Sequence, residues 1–329
     1  MAAPTVTIID PSGSAVLDND VRGTPVGQPG TFVFTEGPCW IPKRQAWVFS
    51  DIPTDTQYVW SDGAAIATLR SPSENANGNF LDSEGRLLTC EHKTRALTRT
   101  DMTSGARETL ANTFQDLPLN SPNDVIQSHR TNAIYFTDPD YGSISRIGHG
   151  QPAEQSKNHV FRLDPSSGEL TSIAEDFVRP NGLALNSPTE TKMYIADSGS
   201  SVANGSFDPS LPHHVRVFDL SEDGKKLSDN GEVFCVVEDD NGVPDGVRCD
   251  VQGNVWVCVK SGVDVYNPSG EMVARVQTSE KCANAAFGGP YGTQLMLCTC
   301  TSVWLLETKV RGAGDVRSIN LGAPPGSGL

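Results

Sequence analysis

Six short motifs along the chain place an amide or carboxylate side chain directly before a hydrophobic, β-type run. They are FTEGPCW at Glu36, NANGNFL at Asn77, SPNDVIQ at Asn123, RPNGLAL at Asn181, VPDGVRC at Asp245 and CANAAFG at Asn284, with gaps of 41, 46, 58, 64 and 39 residues. Taken singly, an Asn-Gly or Asp-Gly pair is a turn, because it supplies positive φ at little cost. Six at the same point of successive repeats are harder to read that way, since ordinary turns vary in residue type and position. If each polar residue stands at the entrance of an innermost strand, six oxygen-bearing side chains converge on one axis. Glu36, Asn181 and Asp245 then offer two charges and one amide oxygen, a hard donor set suited to Ca²⁺ with room for water. The same oxygens accept Mn²⁺, Mg²⁺ or Zn²⁺, and cavity size selects among them. The histidines, His92, His129, His149, His159, His213 and His214, form no HxxxH or HxH pattern, which argues against zinc held in the usual His-rich way.

The elements that must position these side chains are short strands. Most motifs are followed by a second β-rich run: WVFSD, RLLTCEH, AIYFTD, KMYIADS, NVWVCVK and QLMLCTC. A period of roughly 40–60 residues, each unit holding several short strands, marks a β-propeller. The expected fold is all-β, a single six-bladed β-propeller with a central metal site. Its blades run about 36–70, 74–110, 118–175, 178–230, 243–277 and 280–321. The N-terminal segment 1–35 carries TVTII, and TVTII and the C-terminal VRSINL are the two candidates for closing the ring so that no edge stays exposed. Two long insertions, 141–159 and 198–214, follow the second strands of adjacent blades and are expected to wall one pocket.

Composition narrows the function classes. The 329 residues carry 40 Asp and Glu against 25 Lys and Arg, a net charge of −15. Such a surface repels phosphate backbones, so nucleic acid is not an expected partner. No stretch approaches the 18 or more apolar residues a membrane span requires, and MAAPTVTIIDPSG lacks the pattern of a secretory signal. A soluble, cytoplasmic protein is the default expectation. The eight cysteines include no CxxC pair and are read as reduced core residues. Oligomeric state is not legible.

The segments EGPCW, FSDIP, LLTCEH, LNSPNDV, FTDPDYG, RPNGLAL, YIADS, VPDGV and AFGG resemble, in order, those of the senescence marker protein/gluconolactonase/luciferin-regenerating enzyme family, and most of all its bacterial-type gluconolactonase branch. The resemblance covers residues 33–305. It implies a six-bladed propeller with one divalent cation, usually calcium, at the axis, and for many members the hydrolysis of lactones. Carried over by motif, it makes Glu36, Asn181 and Asp245 the metal ligands, with Asp245 also the proton donor and acceptor. Asn123 corresponds to a residue that contacts substrate or completes the metal shell. Ser121 stands where the animal sugar lactonases carry an Arg, which sets a sugar lactone apart from lactones in general.

The expected chemistry follows from these charges. A cation on the lactone carbonyl stabilises the oxyanion and lowers the pKa of a water, and Asp245 takes the proton and returns it to the leaving alkoxide. No GxSxG signals a nucleophilic serine. Asn77, Asn284, Tyr141 and His92 are the further substrate-binding candidates, His92 also as a proton shuttle. Two other readings keep the same fold: a non-hydrolytic isomerase or ring-rearranging enzyme of secondary metabolism, and a non-enzymatic calcium-binding propeller. The second is disfavoured by the polar ring and by the lack of any WD or kelch signature.

Overall fold

In the computed structural model, which describes residues 1–201, 206–229 and 231–314, six antiparallel sheets form the blades of a propeller. From the axis outward the first blade is built of Thr35–Ile41, Ala46–Asp51, Thr56–Trp60 and Ala67–Arg70. The next three repeat this order, with inner strands Ala76–Leu81, Val125–Gln127 and Pro180–Leu185. Blades five and six start from Val247–Cys249 and Asn284–Gly288.

The N-terminus ties the last two blades together. Thr24–Pro25 pairs with Ser302–Glu307 and is the fourth strand of blade six. Pro25 suits that place, since the outermost strand has no outer neighbour to which the missing N–H would donate. TVTI, expected as a closing strand for the ring, lies instead on the outer edge of blade five, where Thr5–Ile8 pairs with Met272–Gln277. The other closure candidate, VRSINL, lies outside the described residues. No helix among the described residues is long and apolar enough to cross a membrane.

The hydrophobic core is divided into clusters between neighbouring blades. Trp47, Phe49 and Trp60 of blade one pack with Met296, Cys298 and Val303 of blade six. Phe136 and Phe161 of blade three pack with Leu88 and Leu97 of blade two. Cys39, Cys90, Cys235, Cys249, Cys258, Cys282 and Cys298 all sit in such clusters, where the small apolar side chain fills the seam.

Around the axis the inner strands overlap like shingles, and glycine makes the overlap possible. Gly78 N–H donates to the Asn123 carbonyl at 2.8 Å, and Gly182 N–H to the Asp245 carbonyl at 3.0 Å. A Cβ on Gly182 would lie 2.3 Å from that carbonyl oxygen, and one on Gly246 would lie 2.4 Å from Asn284 Oδ1. Among the motif glycines only Gly37, at +54°, has positive φ. Gly78, Gly182 and Gly246 are there because the next blade leaves no room for a side chain, not because a turn needs positive φ. A Gly182→Ala variant is therefore expected to lose about 1–3 kcal/mol of stability, measured by guanidinium unfolding. An unchanged midpoint would contradict the close approach of blades four and five.

Candidate active site

All six motif residues, Glu36, Asn77, Asn123, Asn181, Asp245 and Asn284, are buried at the ends of the inner strands where the shingling occurs. Their environments link them into a ring. Asn284 accepts from Ala285 N–H at 2.9 Å through Oδ1 and hydrogen-bonds Glu36. Ser50 Oγ donates to the Asn77 carbonyl at 2.9 Å. Asn181 Nδ2 donates to Ser198 Oγ at 3.1 Å, and Ser198 Oγ donates to the carbonyl of Pro244, next to Asp245, at 2.5 Å. Burial, and then the charges of Asp245 and Asp124, push the Glu36 carboxyl up to about 8. Glu36 and Asp245, 209 residues apart in the chain, thus feel each other directly.

The strands alone do not aim these side chains. The second strands of blades one, three and four each end in an aspartate that grips the backbone just before the ring residue. Asp51 accepts from Val33 and Phe34 N–H at 3.1 and 2.9 Å, and Asp197 from Val178 and Arg179 N–H at 3.0 and 2.9 Å. Asp138 accepts from Asn120 N–H at 2.8 Å. In the sequence these aspartates are visible only as the ends of FSD, FTD and IAD.

His92 has a comparable part. Its Nδ1–H donates to the Ile147 carbonyl at 2.8 Å, so Nε2 is the acceptor and takes Asn77 Nδ2–H at 3.2 Å. Burial pushes this imidazole down to about 4. Through these two bonds His92 ties Asn77 to the backbone of Ile147. Ile147 belongs to the insertion 141–159, which therefore packs over the ring. Asp140, just before the first insertion, and the backbone carbonyl of Ser201, in the second, both accept from Arg179. Tyr141, 5.2 Å below the Arg179 guanidinium, hydrogen-bonds Ser198. Burial and the Asp245 charge raise its hydroxyl, which keeps it a donor.

Two basic residues at the ring carry no signal in the sequence beyond their charge. Arg248 Nη1 donates to Asp124 Oδ2 at 2.9 Å, joining blade five to blade three beneath the ring. Lys281 Nζ lies 2.6 Å from Asp245 Oδ2 and 5.7 Å from the Phe34 ring centroid. Desolvation pulls the Lys281 ammonium down, but the charge and hydrogen bond of Asp245 outweigh it and hold the group above the ordinary lysine range. A cavity of about 570 Å³ opens at the other end of the inner strands, lined by Phe80, Ile126, Leu185, Phe287 and Arg248. None of the six ring residues borders it.

The ring fits a divalent cation on its own chemistry. It brings together two carboxylates and several amides. Asn77 Oδ1 is buried without a partner, and an orphaned buried oxygen is costly unless something binds it. The elevated Glu36 carboxyl reports the same unmet demand for positive charge.

Residues 34–301 match the family described as SMP-30/Gluconolactonase/LRE-like region. The chain belongs to this family. It is 28% identical over 327 residues to a gluconolactonase of Zymomonas mobilis, covering 93% of this chain and 87% of that one. Among solved structures, a candidate gluconolactonase superposes with a TM-score of 0.83 at 31% identity, covering 94% of this chain and 99% of the other. A gluconolactonase of Xanthomonas campestris gives 0.81 at 28%, covering 94% and 95%. Lactone hydrolysis is thus established for the family's near relatives of this chain.

The Glu36 environment sets a pH dependence in metal-free protein. The folded carboxyl keeps its proton up to about pH 8, whereas the unfolded one releases it near 4.5. The resulting stabilisation is complete below pH 4.5 and lost as pH rises through 8. In chelator, Glu36→Gln, which does not titrate, is expected to match wild type near pH 4.5 and to exceed it by a few kcal/mol, on the order of 3–5, at pH 9. Thermal unfolding across that range checks this, and parallel curves would contradict it.

Proposed function

We propose that this chain is a divalent-cation-dependent lactonase that prefers calcium. The observation that carries the reading is the burial of Glu36 within reach of the Asp245 charge, with Asn181 on the strand whose Gly182 bonds the Asp245 carbonyl, in a propeller whose relatives include gluconolactonases. These three side chains would hold the cation, with Asn77 Oδ1 as a further oxygen beside them. When bound, the cation supplies Lewis-acid polarisation of the lactone carbonyl and a lowered pKa for water.

The protein's own groups supply the rest. Asp245 accepts a proton from the attacking water and returns it to the alkoxide released on ring opening. The Tyr141 hydroxyl, kept protonated beside Asp245, is a hydrogen-bond donor for the substrate. Asn123 and Asn284 complete the polar rim, and Asn284 also holds Glu36 in place. Ile147 of the first insertion and Ser198 of the second hold the rim through His92 and Asn181.

One observation bears on the substrate. Ser121 Oγ donates to the Pro139 carbonyl at 2.5 Å and accepts from Gly142 N–H at 2.8 Å. The position held by an Arg in the animal sugar lactonases here anchors the first insertion. This favours a lactone with fewer hydroxyls than a sugar.

The reading is tested on a panel of sugar, aliphatic and aromatic lactones. Chelator is expected to abolish turnover and added calcium to restore it, with a product that carries one added water by mass spectrometry. Asp245→Asn is expected to lower kcat by about 10²–10⁴-fold while the circular dichroism spectrum is unchanged. Full activity after verified metal removal, or a product isomeric with its substrate, would overturn it.

A further inference from the structure

Lys281 stands in an unusual place for a lysine. It lies three residues before Asn284 at the entrance to the inner strand of blade six, where Cys282 N–H donates to the Val259 carbonyl at 3.1 Å and Ala283 N–H to the Cys298 carbonyl at 2.8 Å. The pinned backbone directs its stem across the ring mouth, and the side chain is 31% exposed. The ammonium sits 2.6 Å from Asp245 Oδ2 with the Phe34 ring on another side. Long, flexible lysine side chains are ordinarily solvated at little cost, so confinement against a buried carboxylate calls for a physical reason.

Charge provides that reason. Glu36 and Asp245 are drawn together on the axis, and Arg248 is already engaged with Asp124. Among the described residues, Lys281 is the cationic side chain that pairs with Asp245. Its bond to Oδ2 leaves a single Asp245 oxygen for any other cation.

We propose that Lys281 is a resident counter-cation, which holds Asp245 when no metal is bound and competes with the divalent cation for that carboxylate. The proposal rests on the metal-site reading above. Calcium then binds this chain against a fixed positive charge and through one oxygen of Asp245, so binding is weaker and more readily exchanged than the donor set alone would give. Lys281 is in this sense the residue that sets cation affinity.

The test is calorimetric titration of calcium chloride into chelator-stripped wild type, Lys281→Met and Lys281→Gln. Gln keeps a hydrogen-bond donor and removes the charge, which guards against a Met variant that folds poorly. Both variants are expected to bind calcium at least about tenfold more tightly than wild type. Each should also unfold at a lower temperature without calcium and gain more from saturating calcium than wild type does. Wild-type binding with equal or weaker binding by both variants would overturn the role of Lys281 alone. No calcium binding by any of the three proteins would overturn the metal-site reading as well.

Discussion

Two carboxylates from opposite ends of the chain are buried together on the propeller axis, and their mutual repulsion is the constraint the rest of the structure answers. Taking an ionised carboxylate out of water is costly, and placing a second beside it adds to that cost. Both effects push the Glu36 carboxyl upward, burial first and then the Asp245 charge. A fold that only needed to be stable would place apolar side chains here, as it does in every seam between the blades. On the proposed reading, cation binding would give the arrangement a purpose, because the charge that is unfavourable without the cation would become the source of its affinity.

Holding such a pair requires a rigid frame, and the propeller supplies it through repetition. Each inner strand lies so close to the next that glycine is demanded at Gly78, Gly182 and Gly246. Each of three second strands ends in an aspartate that fixes the backbone two or three residues ahead of a ring member. The apolar seams resist any blade moving independently. Stability and site geometry therefore have one origin. A ring residue cannot shift without disturbing the neighbouring blade's backbone.

The repeat was legible in the sequence because its signal is spacing, which survives without knowing any contact. The ring residues were legible because six amides or acids at one phase of that repeat are hard to ascribe to turns. What could not be read depended on contacts across blades. The role of Gly182 as a spacer against the Asp245 carbonyl looks, in the sequence, the same as a turn glycine. Thr24–Pro25 closes the sixth blade with only two residues, too few to show any alternation. His92 was visible as a polar residue at a strand end, but that its nitrogens bond Ile147 and Asn77 follows only from where the insertion 141–159 folds. Lys281 reads as an ordinary solvated lysine until blade five brings Asp245 to it.

The local charge balance connects binding to chemistry. With Glu36 ionised, the axis holds three carboxylates, Glu36, Asp124 and Asp245, against two cationic side chains, Arg248 and Lys281. That count is one positive charge short of neutrality, and a dication bound as proposed, displacing the Glu36 proton, would leave an excess of one. An oxyanion developing on a substrate carbonyl would then meet surroundings that are net positive and poorly hydrated, where electrostatic stabilisation is strongest. Removing the Lys281 charge would restore neutrality to the loaded site and take that excess away. Tight hold on the cation and strong stabilisation of the oxyanion therefore oppose each other at this one side chain, and a lysine there favours the second.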